Sequence, residues 1–301
     1  KPLAWDDPFT RLKYDLEISG LGSQAMGHVC LLNLKDQTYP GSNGTKDKGW
    51  PTWTTPVMRW AKSQGGVVGY AHSASGLQID PSRAEQRLMN TFDRNQDQLL
   101  TLEETHQALL PLPFEQIDKE RDQALSKGEL NFSMNGEVDQ LPNWVVPEMN
   151  SVGAMEIGVS AALGACDFIS AMDTARIPEW NMWDHLLNCG FPIKVSGETD
   201  FPCMSGSRVG QGRVYVQLGE VDQLSFEQWC QGLKQGRSCV SDGYAHALDF
   251  RVAGIAPGFG KLSLSQTETV RIKASVAFAP ATPQTVAQGL LNASGRQTFH
   301  G

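Results

Sequence analysis

The sequence predicts an α/β fold in which short apolar strands alternate with helices, interrupted by a helical insert and followed by a small β domain. Three observations carry this expectation. Strand-like and helix-like runs take turns through residues 12–80 and again through 140–240, the order that links parallel strands by crossover helices in a β/α barrel or a doubly wound sheet. Residues 81–130 show no strand pattern and are dominated by carboxylates, Gln and Leu. From about residue 247 the pattern turns to period-two alternation, in Leu248-Asp249-Phe250-Arg251-Val252 and again in Thr269-Val270-Arg271-Ile272-Lys273-Ala274. The chain therefore divides into a first barrel-like part at 1–80, an insert at 81–130, a second barrel-like part at 131–245 and a β-sandwich-type appendage at 246–301.

Taken in order, strands are expected at 12–18, 29–34, 67–70, 154–159, 192–195 and 214–218. A helix is expected at 55–64, with Pro56 at a favourable first-turn position and Gly65-Gly66 as its stop. Residues 178–188 and 225–235 read the same way, the second ending at Gly236.

Composition narrows the function. A chain of 301 residues that is 40% hydrophobic can bury the core of one large α/β domain plus something smaller. With 33 Asp+Glu against 25 Lys+Arg and a net charge of -8, no basic face is expected to neutralise phosphates, so nucleic acid is not an expected partner. The acidic side chains are then available for hard cations. The longest apolar stretch, 152–172, is broken by Glu156 and Asp167, so no membrane span is expected. Cys30, Cys166, Cys189, Cys203, Cys230 and Cys239 show no CxxC spacing, which argues against a zinc ribbon or a thioredoxin-like site and for small buried hydrophobes. The chain opens at Lys1 with neither Met nor signal peptide, from which a processed or shortened N-terminus is expected.

Within the insert, Asp93, Asn95 and Asp97 stand at positions 1, 3 and 5 of a twelve-residue window, with Leu99 at 7, Leu100 at 8, Thr101 at 9 and Glu104 at 12. That spacing suits a calcium loop. Alternate side chains turn oxygens inward, position 7 offers its carbonyl, position 8 pairs with a sister loop, and a bidentate Glu closes the sphere. A second copy follows with Asp118, Glu120, Asp122, Ala124, Leu125, Ser126 and Glu129 at positions 1, 3, 5, 7, 8, 9 and 12, and Phe92 and Ile117 precede the two windows alike. The arrangement resembles a compact pair of EF-hands, which implies calcium in both loops. Gln98 and Gln123 occupy position 6, where EF-hands carry Gly for its positive φ. A side chain there costs about 1–2 kcal/mol and weakens affinity without abolishing the loop.

Outside the insert, Glu17 ends the first expected strand, His28 opens the second, His72 follows the third, and Asp200 comes shortly after the fifth. Carboxyl ends of strands carry the active sites of β/α folds, and mixed His and carboxylate ligands suit zinc, manganese or iron. His185 sits in an expected helix beside Trp183 and Leu186 and reads as packing, His106 belongs to the insert, His300 lies in a polar tail, and His246 stays open.

These residues fall within phrases that follow one another in a recognisable order: Tyr14-Asp15-Leu16-Glu17-Ile18-Ser19, Gly27-His28-Val29, Gly69-Tyr70-Ala71-His72-Ser73, Gly197-Glu198-Thr199-Asp200 and Gly236-Arg237-Ser238-Cys239-Val240-Ser241-Asp242-Gly243. Over about residues 10–80 and 140–260 the chain resembles CehA/McbA-type metallohydrolases of the polymerase-and-histidinol-phosphatase (PHP) superfamily. The resemblance implies a distorted, TIM-like barrel. It also implies a multinuclear centre of zinc, manganese or iron that hydrolyses an ester, carbamate, amide or phosphoester bond of a small molecule. Carried over, Glu17 bridges metals, and His28, His72 and Asp200 are terminal ligands. The family's opening His-x-His pair has no counterpart before Glu17, and Pro202 stands where the family often has a ligand His. The barrel is therefore expected to be incomplete at its N-terminus, with a strand-sized gap beside Glu17, a reduced metal set and little activity in this chain.

Arg208 and Arg213, in the Gly-rich stretch that follows, could hold an anionic substrate group by bidentate contacts or stand as solvated turn residues. Trp50, Trp53 and Trp60 could line a pocket, although at helical spacing Trp53 and Trp60 fit a core equally well. The function expected is a metal-dependent hydrolase with a calcium-binding accessory. The alternative is a calcium-binding, catalytically inactive module. Weak calcium loops fill where calcium is abundant, which favours a periplasmic or secreted setting.

Overall fold

The computed structural model describes residues 7–45, 48–73, 81–108, 110–137, 151–171, 176–200, 212–280, 290–291 and 297–298. Its centre is one five-stranded sheet in the order β1(Leu16–Ser19), β2(His28–Leu32), β3(Val67–Ala71), β6(Phe168–Ser170), β7(Lys194–Ser196). The β1–β2 and β2–β3 pairs are antiparallel, whereas β3–β6 and β6–β7 are parallel.

This overturns the expected barrel. A β/α barrel needs parallel strands throughout and a last strand that pairs with the first. Here β1 and β7 are the two edges of a mixed sheet, and no closed barrel is found among the described residues. The loop of 20–27 is short enough to turn β1 back on β2, and α1(Thr54–Ser63) returns the chain antiparallel to β2 as well.

Helices cover both faces of the sheet. One face buries Ile18, Val29, Leu31, Val68, Tyr70 and Ile169 together with Val57, Met58 and Ala61 of α1, Ile157 and Ala161 of α5(Ile157–Ala162), and Met182 and Leu186 of α6(Arg176–Asn188). The other buries Val67 and Phe168 against Cys230 and Leu233 of α7(Phe226–Gln235). The termini of α7 follow from its sequence: Ser225 Oγ accepts from Gln228 N at 3.3 Å, and Gly236 closes it at φ 76. The start of α1 has a tertiary cap instead, since the Glu156 carboxylate accepts from both Thr54 N and Thr54 Oγ1. Thr54 Oγ1 also meets the buried Tyr70 hydroxyl at 2.8 Å, and Ser160 Oγ meets the same hydroxyl at 3.0 Å. Burial drives the Tyr70 hydroxyl far above its ordinary pKa, so it stays protonated and joins α1, β3 and α5.

Other expectations also change. The expected strand at 154–159 is the start of α5, because buried Ile157 and Ala161 recur at helical spacing while Val159 faces solvent. The strand β6 was not expected: three fully buried residues leave no alternation to read. In the insert, the expected absence of strands gives way to β4(Leu99–Thr101) and β5(Ala124–Ser126), paired antiparallel between α2(Pro81–Phe92), α3(Phe114–Ile117) and α4(Lys127–Glu137). Leu88, Met89, Leu100, Phe114, Ile117, Leu125, Leu130 and Met134 give this unit its own core.

Beyond β7 come the antiparallel pair β8(Arg213–Val216) and β9(Ser238–Ser241), then β10(Ala245–Val252) paired with β11(Ile272–Phe278). The two-residue strands β12(Leu290–Leu291) and β13(Gln297–Thr298) follow. Among the described residues the C-terminal β pattern is thus made of single hairpins, not the two packed layers of a sandwich. Cys166 and Cys230 are buried free thiols, and burial pushes Cys230 up to about 12. No described helix is long and apolar enough to cross a membrane.

Candidate metal centre

Register decides which side chains meet. Glu17 pairs with Cys30, two residues along from His28, so Glu17 and His28 lie on the same face of the β1–β2 ladder. His28 in turn pairs with Ala71, which places His72 next to it. Because β2 runs against β1 and β3, its first residue lies on the edge where those strands end. The parallel strands β6 and β7 bring their carboxyl ends to that same edge, and the chain leaves β7 at Ser196 for Asp200.

The distances bear out a cluster. His28 Nδ1 stands 2.8 Å from Glu17 Oε1, His72 Nε2 stands 3.9 Å from the same oxygen, and His72 Nε2 stands 3.8 Å from Asp200 Oδ2. Glu17, His28 and His72 each offer a donor atom within 4.8 Å of the other two. The imidazoles meet edge to face, with centroids 4.7 Å apart. Donors about 2.1 Å from a shared tetrahedral ion would stand about 3.4 Å apart, in the middle of these separations.

The chemistry of the donors also fits an ion. His28 Nδ1 is buried and makes no hydrogen bond, despite the Glu17 oxygen at 2.8 Å, because the approach lacks the direction an N–H needs. Two lone pairs aimed at a common third point produce that arrangement. His72 and Asp200 hold left-handed backbone conformations, at φ 52 and 49, which for side chains other than Gly are uncommon and strained.

Residues 152–154 also touch this centre. His28 N donates to Val152 O at 3.1 Å, and Ala154 N donates to Ser73 O at 3.3 Å. Gly27, at φ 66, is needed here: a Cβ would lie 2.3 Å from Gly153 O.

Glu17 also opens onto a cavity of about 270 Å³ whose walls include Leu21, Tyr39 and Trp50. Trp50 stacks on Tyr39 with centroids 5.4 Å apart, and its indole donates to Thr45 O at 3.0 Å. Of the three tryptophans weighed from sequence, Trp50 lines a pocket, Trp60 packs edge-on to Tyr39 beside the core, and Trp53 is exposed. Arg208 lies outside the described residues. Arg213 lies in β8, with Tyr215 and His246 beside it. His246 comes from β10, so only folding reveals that neighbour.

In the insert both loops close on their acidic residues. Asp93 Oδ2 accepts from Gln98 N at 3.0 Å, Asn95 Oδ1 from Asp97 N at 3.0 Å, and Asp97 Oδ1 from Leu99 N at 2.9 Å. Glu104 Oε2 accepts from Thr101 N at 3.0 Å and from Thr101 Oγ1. The second loop repeats this: Asp118 Oδ2 accepts from Gln123 N, Asp122 Oδ1 from Ala124 N, and Glu129 Oε2 from Ser126 N and Oγ. Glu120 N donates to Glu129 Oε1 at 3.2 Å. Leu100 and Leu125 pair across the loops, so the carbonyls of Leu99 and Ala124 flank a common ladder. Asp93 Oδ1 is buried with no hydrogen-bond partner. Hydrogen bonds from Thr101 hold the Glu104 carboxyl below its usual range. For Glu129, burial pushes the other way and the bonds from Ser126, Glu120 and Lys119 outweigh it. Both stay ionised at neutral pH, and their stabilising hydrogen bonds weaken only as pH falls through the lowered values.

Position 6 adopts the conformation that Gly would favour: Gln98 has φ 66 and Gln123 has φ 68. Replacing Gln123 by glycine is expected to stabilise the insert by about 1 kcal/mol, relief of strain being partly offset by the freer unfolded chain. Urea unfolding followed by amide exchange within 93–129 checks this. An unchanged or lowered stability contradicts it.

Comparison of the chain with protein-family models, with curated proteins and with solved structures finds no match.

Proposed function

We propose that the protein is a metal-dependent hydrolase of the CehA/McbA kind within the PHP superfamily, acting on an ester, carbamate, amide or phosphoester bond of a small molecule. The single observation that carries this reading is the convergence of donor atoms from Glu17, His28 and His72 within 4.8 Å of one another, with Asp200 beside His72. An ion of zinc, manganese or iron held there supplies an activated water and polarises the bond to be cut. Glu17, whose Oε1 lies within 4 Å of both imidazoles, would lower the net charge of the site and could span two positions. His28 and His72 would offer imidazole nitrogens, the first from the start of β2 and the second from just beyond β3. Asp200 lies 3.8 Å from His72 Nε2, where it can serve as a further ligand or hold the imidazole in place. The Tyr39–Trp50 wall of the neighbouring cavity gives an apolar substituent somewhere to lie.

Metal analysis of the full chain after incubation with zinc or manganese tests the reading, together with turnover of nitrophenyl esters, carbamates, anilides and phosphoesters. Near-stoichiometric transition metal and hydrolysis of one class support it. Calcium alone, with no turnover, supports the alternative of a catalytically inactive calcium-binding module, for which the two closed loops of the insert speak.

On either reading we propose that the insert binds calcium through Asp93, Asn95, Asp97, Leu99, Thr101 and Glu104, and through Asp118, Glu120, Asp122, Ala124, Ser126 and Glu129, in a calcium-rich setting outside the cytosol. Calcium at about 100 times its Kd is expected to add roughly 2.7 kcal/mol to the insert's stability, because only the folded loops bind. Thermal unfolding with calcium and with chelator measures this. The Asp93→Ala/Asp118→Ala double variant is expected to show no difference between the two conditions, and a difference equal to the parent's would contradict the assignment.

A further inference from the structure

A second polar cluster lies apart from the metal ligands, where β8 meets β10. Along β8 the side chains alternate: Val214 and Val216 pack toward α7, which leaves Arg213 and Tyr215 on the opposite face. Tyr215 Oη stands 2.7 Å from His246 Nε2, with ring centroids 4.2 Å apart, and Arg213 Nη1 reaches the same hydroxyl at 3.5 Å. The turn that follows β9 is fixed by its own bonds. Gly243 N donates to Ser241 Oγ at 2.9 Å, and Tyr244 N donates to Asp242 Oδ1 at 3.0 Å. The Arg213 guanidinium fits beneath this turn only because residue 243 is Gly: a Cβ there would lie 2.8 Å from Arg213 Nη2.

What the cluster lacks is a counter-charge. No carboxylate among the described residues pairs with Arg213, and its Nε is buried without a hydrogen-bond partner. A buried N–H of a charged group left unsatisfied is unfavourable, and a planar guanidinium offers its Nε and Nη hydrogens side by side in the spacing of two oxygens of one anion. Tyr215 adds a third donor once its own oxygen accepts from His246.

We infer that Arg213, Tyr215 and His246 form a binding site for an oxyanion, the carboxylate or phosphoryl group of a small molecule. One oxygen of the ligand accepts from Arg213 Nε and another from an Nη. Tyr215 donates its hydroxyl hydrogen to the ligand, and His246 Nε2–H donates to Tyr215 Oη. All three side chains stand on strands, so their backbones are already in place and less ordering opposes binding. The site shares no residue with the metal cluster and stands or falls independently of the hydrolase reading.

Calorimetric titration of the full chain, kept in calcium and free of transition metal, with methylphosphonate and separately with acetate tests this. Binding of either probe supports the site, and the stronger of the two identifies the source as phosphoryl or carboxylate. Arg213→Gln is expected to weaken binding by at least about tenfold, as loss of a charge-assisted fork does. Arg213→Lys is expected to retain part of the affinity because it keeps the charge, and Tyr215→Phe to lose several-fold. Tyr215→Phe changes a single hydroxyl and remains decisive if Arg213→Gln fails to fold. Absence of binding by both probes overturns the inference, as does equal affinity in the folded Arg213→Gln variant or in Tyr215→Phe.

Discussion

Alanine in place of His72 is expected to abolish stoichiometric binding of zinc or manganese and to lower turnover by about a thousandfold, some 4 kcal/mol of lost transition-state stabilisation. His72 is the shared neighbour of the cluster: its Nε2 lies within 4 Å of both Glu17 and Asp200, and its ring rests edge-on against His28. Without it the remaining donors cannot enclose an ion from both sides of the strand edge. Glu17→Gln keeps the shape and removes the charge. It is expected to fall between parent and His72→Ala in metal content. Neither change should unfold the sheet, because residue 72 follows the ladder of β3 and Glu17 lies on the edge strand. The checks are metal content by elemental analysis, turnover on the best substrate class and the thermal midpoint. Full metal content in a folded His72→Ala protein would show that the ion lies elsewhere.

The second large effect concerns stability. Asp167 precedes β6, with its side chain nine-tenths buried, and both oxygens are engaged: Oδ1 with Lys62 Nζ at 2.7 Å, Oδ2 with Val68 N at 3.1 Å. Its backbone N also donates to Val68 O at 2.7 Å. This residue therefore fastens α1 and β6 to β3 where the sheet changes from antiparallel to parallel. Asp167→Ala is expected to cost about 2–3 kcal/mol, because it leaves the internal Val68 N–H without its acceptor and removes the ion pair of Lys62, whose Nζ keeps only Gly164 O at 3.1 Å and water. Asp167→Asn keeps an acceptor for Val68 N and should cost about half as much. Against a typical total of 5–15 kcal/mol, the alanine variant should unfold at markedly lower urea, and a shift worth less than 1 kcal/mol would contradict the account.

Much of the site could be read before folding because its chemistry rests on residue types that few other roles explain together. Glu17, His28, His72 and Asp200 were marked by their places at strand ends, and the duplicated ladder from Asp93 and Asp118 by its spacing. The structure brings these side chains near one another, by a route that the reading of strand ends did not contain. His28 opens its strand, and it joins the others only because β2 is antiparallel to both neighbours. Strand direction is not encoded by local pattern. The barrel was what the family resemblance implied, and the alternation of strands and helices, which fits a barrel or a doubly wound sheet alike, reports order along the chain and not which edges meet. Likewise β6 is too short and too buried to alternate, and residues 154–159 look extended until Ile157 and Ala161 are seen to share a helix face.

By itself the sequence determined the chemistry available to this protein: imidazoles and carboxylates near strand ends, two twelve-residue carboxylate ladders and a net charge of -8. These follow from side-chain identity and short-range spacing, which local sterics translate directly into loops, helices and strands. Only the tertiary structure decided that the sheet is open and mixed, that His28 falls beside Glu17 and His72, and that Arg213 meets Tyr215 and His246. Those outcomes depend on register and on contacts between distant segments. They are fixed by which apolar faces can be buried together, a property of the whole chain that no local stretch contains.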